Sequence, residues 1–271
     1  LRKLISQILR LSRKEFMMNE ILKTENLSKD YLINKRKFNV LKNIDIKIKA
    51  GDFVSVMGPS GSGKSTLLYN VSGMDKMSSG EVIFQGEKLS KLSEKKLSNL
   101  RLKKMGFVFQ QINLLNSLGI IDNIIFPAHM EGTEARNTIR ERALELMKKT
   151  GIAELTDNEI TQASGGQLQR AAICRALINQ PEIIFADEPT GALNSKSAKE
   201  VMDVFHTINK EGTTVMIVTH DIWVASHSSR VLFMKDGNIG SEKILGELKN
   251  LKEDLKQREN ELSKWLLELD F

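Results

Sequence analysis

The sequence predicts an α/β fold in which a parallel or mixed sheet is covered by helices, and three observations predict it. Short, mostly apolar runs of strand length recur at Phe53–Met57, Gly106–Phe109, Ile183–Ala186 and Thr214–Val218. Strands that read as near-continuous apolar runs are those buried on both faces. Helical segments alternate with them at Ser65–Val71, Thr133–Thr150, Gly166–Ile178 and Ser195–Asn209, and that alternation belongs to α/β architectures. A glycine-rich loop joins the first of these strands to the first of these helices.

Along the chain, Leu1, Leu4, Ile5, Ile8 and Leu11 recur at helical spacing among basic residues, before Met17 and Met18. A basic amphipathic helix on an anionic membrane surface is one reading of such a stretch. The preferred expectation is an upstream extension, not native to the folded unit, over residues 1–17. Charge interrupts the apolar residues and no cleavage site follows, so it is not a secretory signal. Ile44, Ile46 and Ile48 alternate with Asp45, Lys47 and Lys49, predicting one half-buried strand closed by a turn at Gly51-Asp52. From about Glu247 the chain is charge-rich and helical. Leu248, Leu251, Leu255, Leu262, Trp265 and Leu269 keep a three-four spacing that breaks at Arg258, where an apolar residue is due. Too few heptads are present for an intermolecular coiled coil, so this tail is expected to pack on its own domain. Neither an internal repeat nor a low-complexity block is visible.

The chain has 271 residues, 41% hydrophobic and 27% charged. That is enough chain to bury a full core, and the composition excludes disordered and collagen-like classes. No run reaches the roughly 18 apolar residues a spanning helix needs, so the chain is expected to be soluble, with any membrane role exercised through a partner. The single cysteine, Cys174, sits in an apolar helical run and reads as a small buried hydrophobe. The net charge of +6 is uneven: Arg2, Lys3, Arg10, Arg13 and Lys14 face only Glu15 in the first 17 residues. The body is close to neutral, and no nucleic-acid partner is expected.

Gly58-Pro59-Ser60-Gly61-Ser62-Gly63-Lys64-Ser65-Thr66 follows a strand and opens a helix, the context a phosphate loop requires. Glycines let successive backbone N–H groups converge on phosphate oxygens. The helix start adds its positive dipole end, Lys64 a full charge, and Ser65 a hydroxyl for Mg²⁺. Ile183–Ala186 runs into Asp187 and Glu188. A carboxylate at such a strand end holds Mg²⁺, usually through water, which suits Asp187; Glu188 suits the general base for an attacking water. Ala163-Ser164-Gly165-Gly166-Gln167 before a helical run is either a second anion site or an ordinary cap, with Ser164 as the capping residue.

With these three elements in this order the chain resembles the ATP-binding cassette (ABC) ATPase family over roughly residues 19–240. The resemblance implies a phosphate-loop NTPase core with an antiparallel β subdomain and a helical signature subdomain at about 112–178. It implies domain bounds of 18–240 for the ATPase and 241–271 for the charged helical tail. Gln110 matches the Q-loop glutamine, a metal and nucleotide contact. Ala163–Gln167 matches the LSGGQ signature with Ala163 in place of leucine. Ala192-Leu193-Asn194 matches the D-loop with Asn194 in place of aspartate, a side chain that hydrogen-bonds but brings no charge. His220 matches the switch histidine. Tyr31 falls where the family stacks an aromatic on adenine, with Phe38 as a substitute. His129, His206 and His227 fit no motif and are expected at the surface or in packing.

The same resemblance implies a head-to-tail dimer, expected to be a homodimer, with ATP and Mg²⁺ between the phosphate loop of one protomer and Ser164-Gly165-Gly166 of the other. It implies a separate membrane permease and a peripheral place on the cytoplasmic face of the membrane. Ala186–Leu193 and Gln110–Leu115 resemble the branch of macrolide, lipoprotein-releasing and bacitracin-type transporters. Ser195–Ala198 and the Trp265-Leu266 ending tilt toward the antimicrobial-peptide group. A soluble cassette ATPase serving a cytoplasmic assembly scaffold is the alternative. DNA-maintenance ATPases of the long coiled-coil type are excluded because no coiled coil separates Gly58 from Ser164. Tandem-cassette translation factors are excluded because there is no second phosphate loop.

Overall fold

The computed structural model describes residues 20–248 and 251–269, so the basic stretch 1–17 and the paired methionines lie outside the described residues. Two sheets carry the fold. The first is antiparallel: β1 (Glu20–Ile33), β2 (Arg36–Ile44), β3 (Lys47–Lys49), β5 (Ser79–Phe84) and β6 (Glu87–Lys88), in the order β2-β1-β5-β6 with β3 also paired to β1. The second comprises β4 (Phe53–Met57), β7 (Met105–Phe109), β8 (Ile183–Asp187), β9 (Thr214–Val218), β10 (Arg230–Lys235) and β11 (Asn238–Ile244). Its order is β11-β10-β4-β9-β8-β7. Every neighbour pair is parallel except β10 with β11. The sheet is therefore mixed, and all five residues of both β4 and β9 are buried, Ser55 and Thr214 among their apolar neighbours.

The helices are α1 (Lys64–Val71), α2 (Glu94–Lys104), α3 (Ile120–Glu131), α4 (Arg136–Lys149), α5 (Gly165–Leu177), α6 (Ser195–Lys210), α7 (Ile222–Ser226) and α8 (Leu251–Leu267). One core lies between the antiparallel sheet, α1 and one face of the mixed sheet, through Leu22, Ile48, Leu67, Phe84 and Phe185. A second lies on the opposite face against α6, through Val201, Phe205 and Ile217. A third joins α3, α4 and α5 through Ile124, Met147 and Cys174. Burial pushes the Cys174 thiol up to about 12. It lies 3.1 Å from the Thr150 hydroxyl, a packing role with no nucleophile.

Three expectations change. The single strand over Ile44, Ile46 and Ile48 is two strands, because β2 ends at Ile44 and β3 begins at Lys47. The Thr24 hydroxyl fills the break, donating to the Ile44 carbonyl at 2.7 Å and accepting the Ile46 N–H at 2.9 Å. All three isoleucines are still buried, so the alternation identified the face and missed the interruption. The helix expected from Thr133 starts at Arg136, and α3 precedes it with Pro127 inside. Arg258, where an apolar residue was due, is itself buried. Its guanidinium donates to the carbonyls of Ser226, Ser228, Leu245 and Gly246 at 2.9–3.4 Å. The tail packs on its own chain as expected: Leu262 and Leu266 meet Met57, Val231 and Phe233. Two fully buried leucines contribute about 1.5–3 kcal/mol each.

Candidate nucleotide site

The strand order brings the chemistry together. The carboxyl ends of the neighbouring parallel strands β4, β9, β8 and β7 carry, in turn, the loop Gly58–Gly63, His220, Asp187 with Glu188, and Gln110. Ligands in open α/β sheets bind outside the carboxyl ends of the strands. At Gly58 the backbone passes so close to β10 that a β-carbon would lie 1.9 Å from the Met234 carbonyl oxygen. Gly63, the residue before α1, has φ 103° in the left-handed region, which glycine adopts at little cost. Between them Pro59, Ser60, Gly61 and Ser62 form the loop, with a Ser62 N–H to Pro59 carbonyl bond of 3.2 Å. The first N–H groups of α1, at Lys64, Ser65 and Thr66, have no intrahelical partner and point at the loop's concavity.

Lys64 is 9% exposed, and its ammonium donates to the carbonyls of Gly58 and Pro59 at 2.8 and 3.0 Å. Burial lowers its pKa, against the opposing pull of Glu188 and Asp187. Asp187 accepts the Ser65 hydroxyl on Oδ1 and the Tyr69 hydroxyl on Oδ2, both at 2.9 Å. The phenol of Tyr69 is pushed up to about 12, by burial first and by Asp187 second.

Glu188 stands in the left-handed region at φ 47°, a conformation costing a non-glycine residue roughly 1–2 kcal/mol. Its N–H bonds the Val218 carbonyl at 2.9 Å and its carbonyl accepts the Gly191 N–H at 3.1 Å, which hold the turn. The carboxylate has three contacts, one on Oε2 and two on Oε1. Thr219 Oγ1 donates to Oε2 at 3.2 Å, the His220 N–H donates to Oε1 at 3.1 Å, and His220 Nδ1 lies 2.8 Å from Oε1. The His220 side chain is 69% exposed, and among the described residues its ring hydrogen-bonds to Glu188 alone.

The predicted signature lies apart from this cluster. Ser164 caps α5: its hydroxyl accepts the Gln167 N–H, and the Gln167 side chain accepts the Ser164 N–H in return. Ser164 and Gly165 are exposed, while Gly166 is buried against Ser197. Among the described hydrogen bonds, none ties Ser164–Gln167 to the phosphate loop or to Glu188.

The ABC transporter family profile matches residues 41–191, the span that runs from β2 through the phosphate loop and signature to Glu188. The chain belongs to the ABC transporter family. It is 44% identical to the bacitracin export ATP-binding protein BceA of Halalkalibacterium halodurans, over 81% of this chain and 87% of that one. It is 43% identical to the macrolide export ATP-binding/permease protein MacB of Pasteurella multocida over 82% of this chain, which spans only 34% of that longer protein. The dimeric ABC cassette MJ0796 of Methanocaldococcus jannaschii superposes with a TM-score of 0.78 at 42% identity, covering 84% of this chain and 100% of that one. A post-hydrolysis MJ0796 dimer with ADP and Pi also superposes at 0.78. This chain is accordingly an ATP-binding, ATP-hydrolysing subunit of an ABC transporter.

Within the cassette, the remaining predicted residues fall unevenly. The Tyr31 hydroxyl donates to Asp75 Oδ2 at 2.6 Å, and its ring carries the Lys29 ammonium 4.7 Å above the centroid. Burial first, then Asp75, raises the Tyr31 pKa. Phe38, its cross-strand neighbour, is 47% exposed. The Gln110 amide lies against Gly191, where a β-carbon would come within 2.9 Å of Nε2. Asn194 accepts the Ser197 N–H at 2.9 Å as the cap of α6, a task that needs an acceptor and no charge. Ala163 packs half-buried against the α3–α5 core. His227 and His206 are buried packing residues and His129 is exposed.

A hydroxyl and a carboxylate 2.9 Å apart below the loop are hard oxygen donors, the type Mg²⁺ takes. These residues fit that ion. Tyr69 and Thr219 escaped sequence reasoning. The available signal was spacing: Tyr69 stands one helical turn after Ser65, on the same face of α1.

Proposed function

We propose that this cassette hydrolyses Mg²⁺-ATP at two sites formed between two copies of the chain, and drives a separate membrane permease from the cytoplasmic face. The observation that carries the reading is Glu188, a carboxylate held on one oxygen by Thr219 and on the other by His220, just past the end of β8 and next in sequence to Asp187, which accepts the Ser65 hydroxyl. The loop N–H groups and Lys64 bind the phosphates by charge-assisted hydrogen bonds. Lys64 exchanges its two carbonyl acceptors for phosphate oxygens. Ser65 and Asp187, with Gln110 turned from Gly191, would hold Mg²⁺, which when bound neutralises charge on the phosphate oxygens.

Glu188 then orients the attacking water and takes its proton, while Thr219 and the His220 N–H keep the carboxylate aimed. The His220 ring, held at Nδ1 by Glu188, turns toward the γ-phosphate. Ser164, Gly165 and Gly166 present a helix start to the γ-phosphate bound by the partner copy. Their exposure and their separation from the chain's own phosphate loop support that arrangement, as does the dimeric state of MJ0796. A self-complementary two-fold interface lets one sequence build both sites. Tyr31 or Phe38 stacks on the adenine.

The likeness to BceA, over most of both chains, supports export of or resistance to antimicrobial peptides or lipid-linked compounds as the transport task. The experiment is affinity purification of tagged Glu188→Gln protein from solubilised membranes in ATP, with identification of its partners. A co-purified permease is the expected result, and its extracytoplasmic domain narrows the substrate class. Recovery of soluble partners alone, with the protein absent from membranes, would overturn it in favour of an assembly-scaffold ATPase.

A further inference from the structure

The geometry points to Tyr69 as a positioning residue for the metal carboxylate: its hydroxyl fixes Asp187 in the rotamer that turns Oδ1 toward Ser65. This rests on the reading of Asp187 and Ser65 as the Mg²⁺-holding pair. Asp187 ends β8 with one oxygen on each of two hydroxyls, Ser65 on Oδ1 and Tyr69 on Oδ2. Both donors come from α1, four residues apart, so a single helical face grips both oxygens. When Ser65 turns its hydroxyl to a cation, its bond to Oδ1 is lost. The Tyr69 bond is then the side-chain bond from α1 that remains to hold the carboxylate plane.

The ring of Tyr69 is held in its turn. It packs tilted on Phe109 at 6.5 Å between centroids. Phe109 belongs to a run of rings, stacked on Phe107 at 6.3 Å, with Phe107 stacked on Phe185 at 5.7 Å. Phe185 precedes Asp187 by two positions on β8, and Phe109 is the direct cross-strand partner of Asp187. Gln110 follows Phe109. The phenol therefore bridges the carboxylate and the strand end that carries the glutamine, and its aim is set by aromatic packing and not by a flexible chain. An aliphatic or amide side chain at position 69 offers no such rigid donor.

The test is nucleotide binding, without turnover, in the Glu188→Gln background. ATP affinity is measured with Mg²⁺ titrated from zero, and again in EDTA. Tyr69→Phe keeps the ring on Phe109 and removes only the hydroxyl. The Mg²⁺ concentration for half-maximal tight binding is expected to rise about three- to tenfold, the scale of one hydrogen bond to a charged group. Affinity in EDTA is expected to stay within about twofold, because Lys64 hydrogen-bonds to Gly58 and Pro59 and the variant leaves the Asp187 charge in place. An unmoved or lowered Mg²⁺ requirement overturns the proposal. So does an equal loss with and without Mg²⁺, which would make Tyr69 a packing residue. Asp187→Asn is run beside it. A shift in Asp187→Asn with none in Tyr69→Phe sinks the role of Tyr69 alone, whereas no shift in either sinks the metal pair as well. Tyr69→Phe added to Asp187→Asn is expected to produce no further shift.

Discussion

Two helix starts in this cassette are built from similar residues and behave differently. The start of α1, after Gly58–Gly63, is enclosed by its own chain. Lys64 folds back on two loop carbonyls, Ser65 meets Asp187, and Glu188 and His220 close the far side. The start of α5, after Ser164, is satisfied by a reciprocal cap with Gln167 and leaves Ser164 and Gly165 facing outward. Glycines and serines at a helix start do not by themselves distinguish a complete site from half of one. What distinguishes them is the ring of charged side chains that the sheet order assembles around one and not the other.

The largest effect expected from breaking the enclosed site is at Glu188. Glu188→Gln keeps one acceptor oxygen for the His220 N–H and offers Thr219 Oγ1 an amide N–H in place of the second oxygen, but it cannot take a proton, so turnover falls by about 10²- to 10⁴-fold. Steady-state ATPase measured beside equilibrium ATP binding checks this. Binding lost along with turnover would mean that Glu188 shapes the site and does not act as the base. Lys64→Ala comes next: loss of a charged hydrogen-bonding group on the phosphates weakens ATP binding roughly tenfold or more. Unchanged affinity would contradict the phosphate-loop assignment.

The outward-facing site makes the opposite prediction. Ser164→Arg leaves monomer ATP affinity unchanged and removes ATP-driven dimerisation, seen by size exclusion of the nucleotide-loaded protein in the Glu188→Gln background. Loss of monomer affinity would show that Ser164 serves its own phosphate loop. Mixing Ser164→Arg chains with Lys64→Ala chains sharpens the comparison, because a mixed dimer contains one intact site if the halves meet in trans. Turnover above the sum of the two separate variants is the expected outcome; a strictly additive result points to sites within one chain.

Much of this site was legible before any coordinates, and the reason is physical. Strands buried on both faces read as apolar runs, so β4, β8 and β9 and the residues at their ends could be placed from the sequence. The phosphate loop demands glycine where the backbone approaches Met234 and turns left-handed, and those demands show as a pattern. The antiparallel hairpin was less legible. Leu32 and Ile33 on β1 are exposed, and the break between β2 and β3 depends on a hydroxyl twenty residues away at Thr24. Arg258 looked like an interruption of the apolar stripe because its charge is obvious. The four carbonyls that accept from it become neighbours only once the chain has folded. Tyr69 hid for the same reason, as a phenol in a helix whose partner lies more than a hundred residues downstream.

The smallest effect concerns stability and not nucleotide, and it sets a buried histidine against the exposed one in the site. His227 is 2% exposed, its Nδ1 lies 2.8 Å from the Trp223 carbonyl oxygen, and its ring meets Trp223 edge-on at 4.7 Å. Burial lowers its pKa to about 4 from the ordinary 6.5, so the folded state holds it neutral. Between those two values the unfolded chain binds the extra proton, and stability therefore rises with pH across the window and is lost as pH falls through it. The loss attributable to this one group amounts to about 2 kcal/mol at pH 5 and about 3 kcal/mol below pH 4. Urea unfolding of the wild type and of His227→Gln at pH 7 and pH 5 measures it. The variant is expected to be less stable at pH 7, since Gln does not refill the packing against Trp223, but to lose less on acidification. His220→Gln, by contrast, should follow the wild-type stability curve, since its side chain is 69% exposed. Equal acid sensitivity in His227→Gln and wild type would show that His227 titrates alike folded and unfolded, and that the acid lability of the cassette comes from elsewhere.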